Sequence, residues 1–513
     1  MRKIPVLSAS EAADWDERAR SRANIPSRVL METAGRAVAW AAAREYPDAL
    51  RHGALLAAGH GNNGGDGWVA ARALAAVGVQ VRVVEIPKER SPDCDANRSL
   101  ALDQGVELLG LDAEWPRPGV VIDGLLGTGA SGPPRGVIGD IAARIARHEG
   151  PLVAVDGPTG LDLSTGEAHG PIRATLSVTF GAARRGHLLR RDWCGVIVVA
   201  DIGFPAADPE WPALVTDGDV APLLPGFDAT MHKGKRGRVL VIGGAEGMAG
   251  AALHAAGAAL TAGAGLVKLA ATEATVRAAQ AHLPDALSEI TTLGPELEDG
   301  LEEALEWADA LVLGPGLGRG GPRSEFVRRV LESAKVPVIV DADALHAGLD
   351  TLSAGKAARV FTPHPGEFAA MFPDTKQDVG DARFEVAAAA LARLRPSTPA
   401  LLLKGVPTLI GAHGSALRVV AAGNPALATG GSGDLLAGFI GAFLARGLSP
   451  LDAATLGAQV LGRAAELAAA DYTVRSTRPA DVLAALPSVW RLWHAPFDVR
   501  PPELVRLDPP AVV

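Results

Sequence analysis

Hydrophobic positions along the chain gather into short unbroken runs, separated by longer stretches with helical spacing. In the first half the runs are Gly53–Ala58, Gln80–Glu85, Val120–Ile122, Leu152–Val155, Leu176–Phe180 and Val196–Ala200. Helical stretches lie between several of them, among them Trp68–Ala76 and Ile138–Arg147. A run that is apolar throughout leaves no face for water, so these strands are expected in a parallel sheet covered by helices. A second series begins at Arg238–Gly243 and continues through Leu266–Ala270, Ala310–Leu313, Val338–Val340, Arg359–Phe361, Ala400–Leu403 and Thr408–Gly411. Between the two series, the passage from Phe204 to Phe227 is broken by Pro205, Pro209, Pro212, Pro222 and Pro225 and reads as a linker or domain edge. The expectation is two α/β domains in tandem, residues 1–215 and 216–490, followed by a Pro-rich tail at 491–513 that reads as an extended appendage.

Composition narrows the function. Lys+Arg 49 against Asp+Glu 58 gives a net charge of -9 with no long basic stretch, which argues against a nucleic-acid partner. Only 2 Tyr are present, so a base-stacking surface is not expected either. Cys94 and Cys194 stand alone, with neither metal spacing nor a disulfide framework, and a reducing cytoplasm is the default. Met1 to Arg20 carries charges throughout and lacks an apolar signal core. The most apolar region, Ala249–Ala271, is interrupted by His254 and Lys268 and reads as a buried helix followed by a strand rather than a membrane span.

Candidate chemistry centres on glycine turns. Asn424-Pro-Ala-Leu-Ala-Thr-Gly-Gly-Ser-Gly-Asp434 opens the apolar helical stretch Leu435–Ala445. Gly430, Gly431 and Gly433 let backbone N–H groups converge at a helix N-terminus, a geometry that suits a phosphoryl group in a charged transition state. Asp434 would then accept a proton from an attacking hydroxyl; the plain alternative is an N-cap after a flexible turn. In the first half, Gly59-His-Gly-Asn-Asn-Gly64 matches the dinucleotide fingerprint, with Glu85 about 20 residues on. Asp66 opposes that reading, because a carboxylate would repel a pyrophosphate docked at the helix start. Asp123 and Asp156 each follow a strand and precede a glycine loop, so three strand ends are expected to converge on one site.

These segments resemble a known pair of families. Gly61-Asn-Asn-Gly-Gly-Asp-Gly67, Asp123-Gly-Leu-Leu-Gly-Thr-Gly129, Asp156-Gly-Pro-Thr-Gly160 and the opening Leu30-Met-Glu-Thr-Ala-Gly35 resemble the NAD(P)H-hydrate epimerase domain. The second half is similar to the ribokinase-like NAD(P)H-hydrate dehydratases through His232-Lys233, Val239–Gly244, Gly247–Ala251, Gly314–Gly318, Asp341–Leu345, Thr362–Glu367, Lys404–Thr408 and the Asn424–Asp434 motif. The tandem order, covering roughly residues 5 to 485, is that of the bifunctional NAD(P)H-hydrate repair enzymes. The resemblance implies two three-layer α/β/α domains, the first Rossmann-like and the second ribokinase-like. It implies epimerisation of R and S hydrates by the first and dehydration of the S hydrate by the second. The phosphate donor would be ADP in the bacterial version or ATP in the eukaryotic one.

The resemblance also carries residue roles. In the first half Asn62, Asn63, Gly64, Gly65 and Asp66, with Gly127, Thr128, Gly129, Ala130, Ser131, Gly132 and Pro133, would line the hydrate site. Asp156 would be the acid/base at C6, and Asn63, Asp123 and Thr159 would hold a potassium ion (K+) through oxygen donors. Thr159 replaces the usual serine and Gly157 the usual isoleucine. In the second half Ala251, Gly316, His364 and Asp434 would contact the hydrate, with Asp434 as the base. Lys404, Gly405, Val406, Pro407, Thr408 and Gly433 would contact the adenine nucleotide, with Mg2+ as its counter-ion and no dedicated protein cage. A homo-oligomer is implied, a tetramer being common for such dehydratases.

Several residues keep two readings on the sequence alone. Asp341 and Asp343 are either caps after a strand or part of the pocket, and Glu367 is a cap or first-turn acid. His364 is a rigid turn residue or a ligand contact, and His232, Lys233, Lys235 and Arg236 a solvated basic cluster or a lure for phosphate. The competing function is a ribokinase-like vitamin or sugar kinase fused to a non-catalytic binding domain, since the fold alone does not fix the substrate.

Overall fold

The computed structural model describes residues 3–373, 379–380, 382–394, 399–494 and 502–512. Its contacts divide the chain into a unit of Arg2–Leu214 with Asp498–Pro509 and a unit of Val215–Phe497 with Pro510–Val513.

In the N-terminal unit, Ala54–Ala58 lies between Val81–Glu85 and Val120–Gly124, and the sheet continues outward through Leu152–Val155, Leu176–Phe180 and Val196–Ala200. These pairings are parallel. Successive side chains face opposite sides: Leu56, Ile122 and Val155 join one cluster with Val38 and Trp68, while Leu55, Val121 and Ala154 join another with Ile141 and Ile145. Both faces are therefore dry, which is what unbroken apolar runs require. The strand order reverses between Ala54–Ala58 and Val120–Gly124, so the loops after these strands border the crevice where α/β sheets bind ligands.

The C-terminal unit repeats the plan. Arg238–Ile242 lies between Leu266–Ala271 and Ala310–Leu313, and the sheet runs on in parallel through Val338–Val340, Arg359–Phe361 and Pro399–Leu403. Thr408–Ala412 and Arg418–Val420 add antiparallel strands. Val239, Val241, Val312 and Ile339 pack under helices Ala249–Thr261, Ser432–Ala445 and Pro450–Ser476. The switch point here lies between Arg238–Ile242 and Ala310–Leu313. The fold class is α/β in both units, and Ala249–Ala271 is a helix, Ala249–Thr261, followed by a strand, Leu266–Ala271. Among the described residues no helix is long and apolar enough to cross a membrane.

The structure differs from the sequence reading at some elements. The helix expected from Trp68 begins at Asn62, so the glycine segment is its first turn rather than a loop. Gly64 and Gly67 are needed there for packing: a Cβ would come 2.0 Å from the Gly59 carbonyl and 2.8 Å from Leu56 respectively. The tail is not an appendage throughout. Glu503–Leu507 pairs antiparallel with Val196–Ala200 and forms the edge of the N-terminal sheet, while helix Pro479–His494 runs past the expected boundary at 490. Pro496 and Pro501 lie outside the described residues. The linker passage contains a short strand, Ala213–Leu214, paired with Ile4–Leu7.

Candidate functional site

Two acids emerge from adjacent parallel strands of the N-terminal unit. Asp123 is fully buried. Its Oδ2 accepts from the Thr159 N–H (2.8 Å), and its Oδ1 from the Thr159 hydroxyl (2.9 Å) and the Leu125 N–H (3.2 Å). Burial pushes this carboxyl up to about 6, against those donors, and no cationic side chain is among the groups acting on it. Asn63 Nδ2 is buried without a partner. A Cβ on Gly127 would lie 2.8 Å from Asn63 Oδ1 and 3.2 Å from Asp156 Oδ2, so glycine lets that loop close over both.

Asp156 has a left-handed backbone, φ +63°. Its Oδ2 accepts from the Thr128 N–H (2.9 Å) and from the Thr128 hydroxyl; its Oδ1 accepts from the Thr179 hydroxyl (2.9 Å) and faces the Arg184 guanidinium at 3.4 Å. Arg184 Nε donates to Thr128 Oγ1 (2.8 Å). Burial alone would raise the Asp156 pKa, but Arg184 and the Thr128 donors outweigh it and hold the carboxyl below its ordinary value. Asp66 moves the other way, raised well above its ordinary value by burial and then by the Asp156 charge. The two shifts run apart, one carboxyl drawn toward its ionised form and the other toward its neutral form, the direction of an acid and base pair. His187 closes the cluster: Nδ1 accepts from the Arg184 N–H (3.1 Å), which leaves Nε2–H to donate to the Asp156 carbonyl (2.8 Å). Burial takes this imidazole down to about 4, so it is neutral.

The dinucleotide fingerprint finds no free acid. Glu85 is held by Arg98 through both oxygens (2.7 and 3.0 Å) and by Arg90 (2.8 Å).

In the C-terminal unit, Gly431 at φ +100° caps helix Ser432–Ala445, and Asp434 stands in its first turn. Burial raises the Asp434 carboxyl to about 7, helped by the Asp341 charge and opposed by Lys404. Lys404 Nζ pairs with Asp341 Oδ1 at 2.6 Å, and the Thr362 hydroxyl donates to the same oxygen at 2.7 Å. Asp341 Oδ2 is buried and unpartnered. A Cβ on Gly433 would sit 3.1 Å from Lys404 Nζ, so the glycine turn keeps the helix N-terminus open toward the ammonium. Asp341 is therefore tied into this cluster, whereas Asp343 is engaged by the Gly318 N–H (3.0 Å) and Arg319 (2.8 Å). Arg383 Nη2 donates to the Lys404 carbonyl (2.8 Å) and packs against Gly405, where a Cβ would stand 2.5 Å from it.

The candidate residues thus fall into groups. Asn63, Gly127, Thr128 and Asp156 meet, Asp123 bonds Thr159, and Lys404 meets Gly433, the residue before Asp434, on whose carboxyl its charge acts. Ala251 approaches Gly316, where a Cβ would stand 3.3 Å from it. His364 is exposed and forms a capping box with Glu367, whose Oε2 accepts from the His364 N–H at 2.9 Å. Asn62, Gly129, Ser131, Pro133, Gly405 and Val406 are exposed, and Gly64 and Gly65 are buried in helix packing against Gly59 and Met31. Among the described residues no group of three or more His, Cys, Asp or Glu side chains could hold a metal. Thr179, Arg184, His187 and Arg383 were not singled out by the sequence, and no motif marks them; Thr362 entered only as the first residue of the Thr362–Glu367 segment.

Residues 27–186 match the family model described as YjeF-related protein N-terminus, and residues 239–488 match that of NAD(P)H-hydrate dehydratase. The bifunctional NAD(P)H-hydrate repair enzyme Nnr of Moorella thermoacetica is 37% identical over 95% of this chain and 96% of its own. That of Escherichia coli is 36% identical over 89% of this chain and 88% of its own. Among solved structures, a hypothetical protein of Streptococcus mutans overlays 55% of this chain and 100% of its own, with a TM-score of 0.50 and 25% identity.

Proposed function

The chain belongs to the bifunctional NAD(P)H-hydrate repair enzymes, and on that footing we propose that Asp156 and Asp434 are the catalytic groups of its two halves. The substrates are the R and S hydrates of NADH and NADPH, which carry a hydroxyl at C6 of the nicotinamide ring. The N-terminal half interconverts them, and the C-terminal half dehydrates the S form with ADP as co-substrate. The vitamin or sugar kinase alternative is not favoured, because curated relatives match both halves together.

In the epimerase half, Asp156 serves as the acid/base at C6, kept ionised by Arg184 and Thr128. Asn62–Asp66 and Gly127–Pro133 line the hydrate. Asn63, Asp123 and Thr159 form an all-oxygen donor set, and the buried, uncompensated Asp123 carboxylate suits a hard monovalent cation. K+ held there would supply the missing positive charge.

In the dehydratase half, Asp434 accepts the C6 hydroxyl proton as that oxygen attacks the terminal phosphorus of ADP, and AMP leaves. The C6–O bond then breaks with departure of phosphate, assisted by the ring nitrogen lone pair, and loss of a C5 proton restores the double bond. Hydroxide is a poor leaving group, so phosphoryl transfer makes the elimination feasible. Lys404 and the Gly433 turn face the phosphates, with Lys404–Thr408 along the nucleotide, and Ala251, Gly316 and His364 on the hydrate side. Mg2+ would arrive with the nucleotide and neutralise phosphate charge. We extend the family reading to a cytoplasmic homo-oligomer, which light scattering can check.

The observation that carries the proposal is the Asp434 carboxyl, raised to about 7 at a glycine-turned helix start beside the Lys404 ammonium. The test follows regrowth of the reduced nicotinamide absorbance from mixed R and S NADH hydrates with Mg2+, K+ and either ADP or ATP. The wild type should recover nearly all the hydrate, Asp156→Asn should stop when the S form is exhausted, and Asp434→Asn should recover it at least about a hundredfold more slowly. No recovery by the wild type with either nucleotide would defeat the repair reading.

A further inference from the structure

We propose that His187 is a positioning residue of the epimerase site, a single imidazole that holds both Asp156 and Arg184 by their backbones. The inference rests on the reading of Asp156 as the acid/base. His187 is fully buried, and both ring nitrogens are committed: Nδ1 receives the Arg184 N–H at 3.1 Å, and Nε2–H gives to the Asp156 carbonyl at 2.8 Å. Those two residues form the functional pair, since the Arg184 guanidinium stands 3.4 Å from Asp156 Oδ1.

The contact falls where it matters most. Asp156 adopts φ +63°, a conformation that a residue with a Cβ keeps only when its surroundings fix it. The bond from His187 to the carbonyl of that residue is one such fixture; the Thr128 and Thr179 bonds act on the side chain instead. Gly157 admits the ring. A Cβ there would stand 3.1 Å from His187 Nε2 and 2.7 Å from Leu163. Gly186, one residue before the histidine, is clamped onto the same loop: its N–H donates to the Leu163 carbonyl at 2.8 Å, and a Cβ would meet the Asp162 carbonyl at 2.5 Å. Glycines at 157 and 186 thus bring imidazole and acid loop together.

Neutral imidazole with its proton on Nε2 is the only form that makes both bonds, so the ring orients the pair without exchanging protons with substrate. Its loss should blur the placement of Asp156 and Arg184 and, through the Thr128 bonds to both, of Thr128, while Asn62–Asp66 and Gly129–Pro133 keep the substrate in place. Turnover should therefore fall while substrate affinity holds.

The test is R-to-S conversion by the full chain without nucleotide, so that the dehydratase is idle, with epimers separated by chromatography. His187→Leu should lower kcat about tenfold or more, leave KM within twofold and leave S-hydrate dehydration at the wild-type rate. His187→Gln, which keeps a donor toward the Asp156 carbonyl, should recover part of the loss. If His187→Leu does not accumulate folded, Gly157→Ala carries the test and should lower kcat at least threefold. A wild-type kcat in whichever of these two variants is tested, or a loss carried by KM alone, overturns the inference. Asp156→Asn run alongside separates the two readings. Abolished conversion there with full turnover in His187→Leu defeats only the role of His187, whereas full conversion in Asp156→Asn defeats the acid/base reading and this inference with it.

Discussion

Asp156 and Asp434 are carboxylates of the same kind moved in opposite directions by what surrounds them. Arg184 and the Thr128 donors win over burial at Asp156, whereas at Asp434 burial and neighbouring acids win over Lys404. A base must be deprotonated to act, so dehydration should show an acid limb centred near 7, rising as pH climbs from 6 to 8. Asp434→Asn should lower kcat by about 10²–10⁴ and abolish that limb, as read from nucleotide-dependent absorbance recovery across pH. Asp123 gives a stability prediction with a definite sign. Its folded value of about 6 lies above the ordinary 3.8, so the folded state holds the proton more tightly. Stability is then greatest below the unfolded value and is lost as pH rises through 6, costing about 3 kcal/mol at neutral pH. A cation beside the carboxylate offsets that loss only when the group is ionised. Replacing choline chloride by KCl at equal ionic strength should raise the N-terminal unit's Tm by a few degrees at pH 7.5 and by less at pH 5. An equal rise at both pH values would remove Asp123 from the ion site.

Helix Ser432–Ala445 places Asp434, and it can do so because it lies unusually close to helix Ala249–Thr261. A Cβ on Gly438 would stand 2.2 Å from the Ala255 carbonyl and 2.7 Å from the Ala258 Cβ. Gly438→Ala should therefore push the helices apart, destabilise the C-terminal unit by about 1–3 kcal/mol and lower dehydratase kcat, with epimerisation unchanged. Parallel measurement of both activities and of urea unfolding checks this, and an unaltered dehydratase would show that the helix tolerates the shift. The same element shows why sequence reasoning reached some features and missed others. Strands such as Leu152–Val155 and Ala310–Leu313 are apolar on both faces, and a run of that kind announces itself. Glycines signal a special backbone but not its kind, so Asn62–Gly67 looks like a loop when close packing makes it the start of a helix. Asp156 and Asp434 were legible because a glycine loop or turn adjoins each. Arg184, His187 and Arg383 were not, because charge alone suggests solvent, and only the fold reveals that each is buried against a backbone carbonyl or an acid.

The two units do not follow one another simply along the chain, because the N-terminal unit takes up two separate stretches, Arg2–Leu214 and Asp498–Pro509. Strand Glu503–Leu507 covers the edge of Val196–Ala200, an all-aliphatic strand that would otherwise expose unpaired N–H and C=O groups. Side chains fasten it, Glu503 pairing with Arg44 and Arg506 with Glu45 at 2.6 Å, and a backbone bond adds to them, the Pro502 carbonyl accepting from the Asp201 N–H at 2.7 Å. Cross-strand pairs are worth roughly 0.2–1 kcal/mol each and half-buried ion pairs a similar amount, so this segment contributes on the order of 2–4 kcal/mol. Ending the chain at Phe497 should then lower the Tm of the N-terminal unit by roughly 5–15 °C. The truncated chain should also self-associate through the bared strand. Dehydration should survive, since Asp434, Lys404 and Asp341 all lie in the other unit. Heat-inactivation curves of the two activities, recorded on one preparation, decide the matter. Epimerase should inactivate at lower temperature in the truncated chain while the dehydratase curve stays in place. Coincident epimerase curves for full and truncated chains would mean that the terminal strand covers the edge without stabilising it.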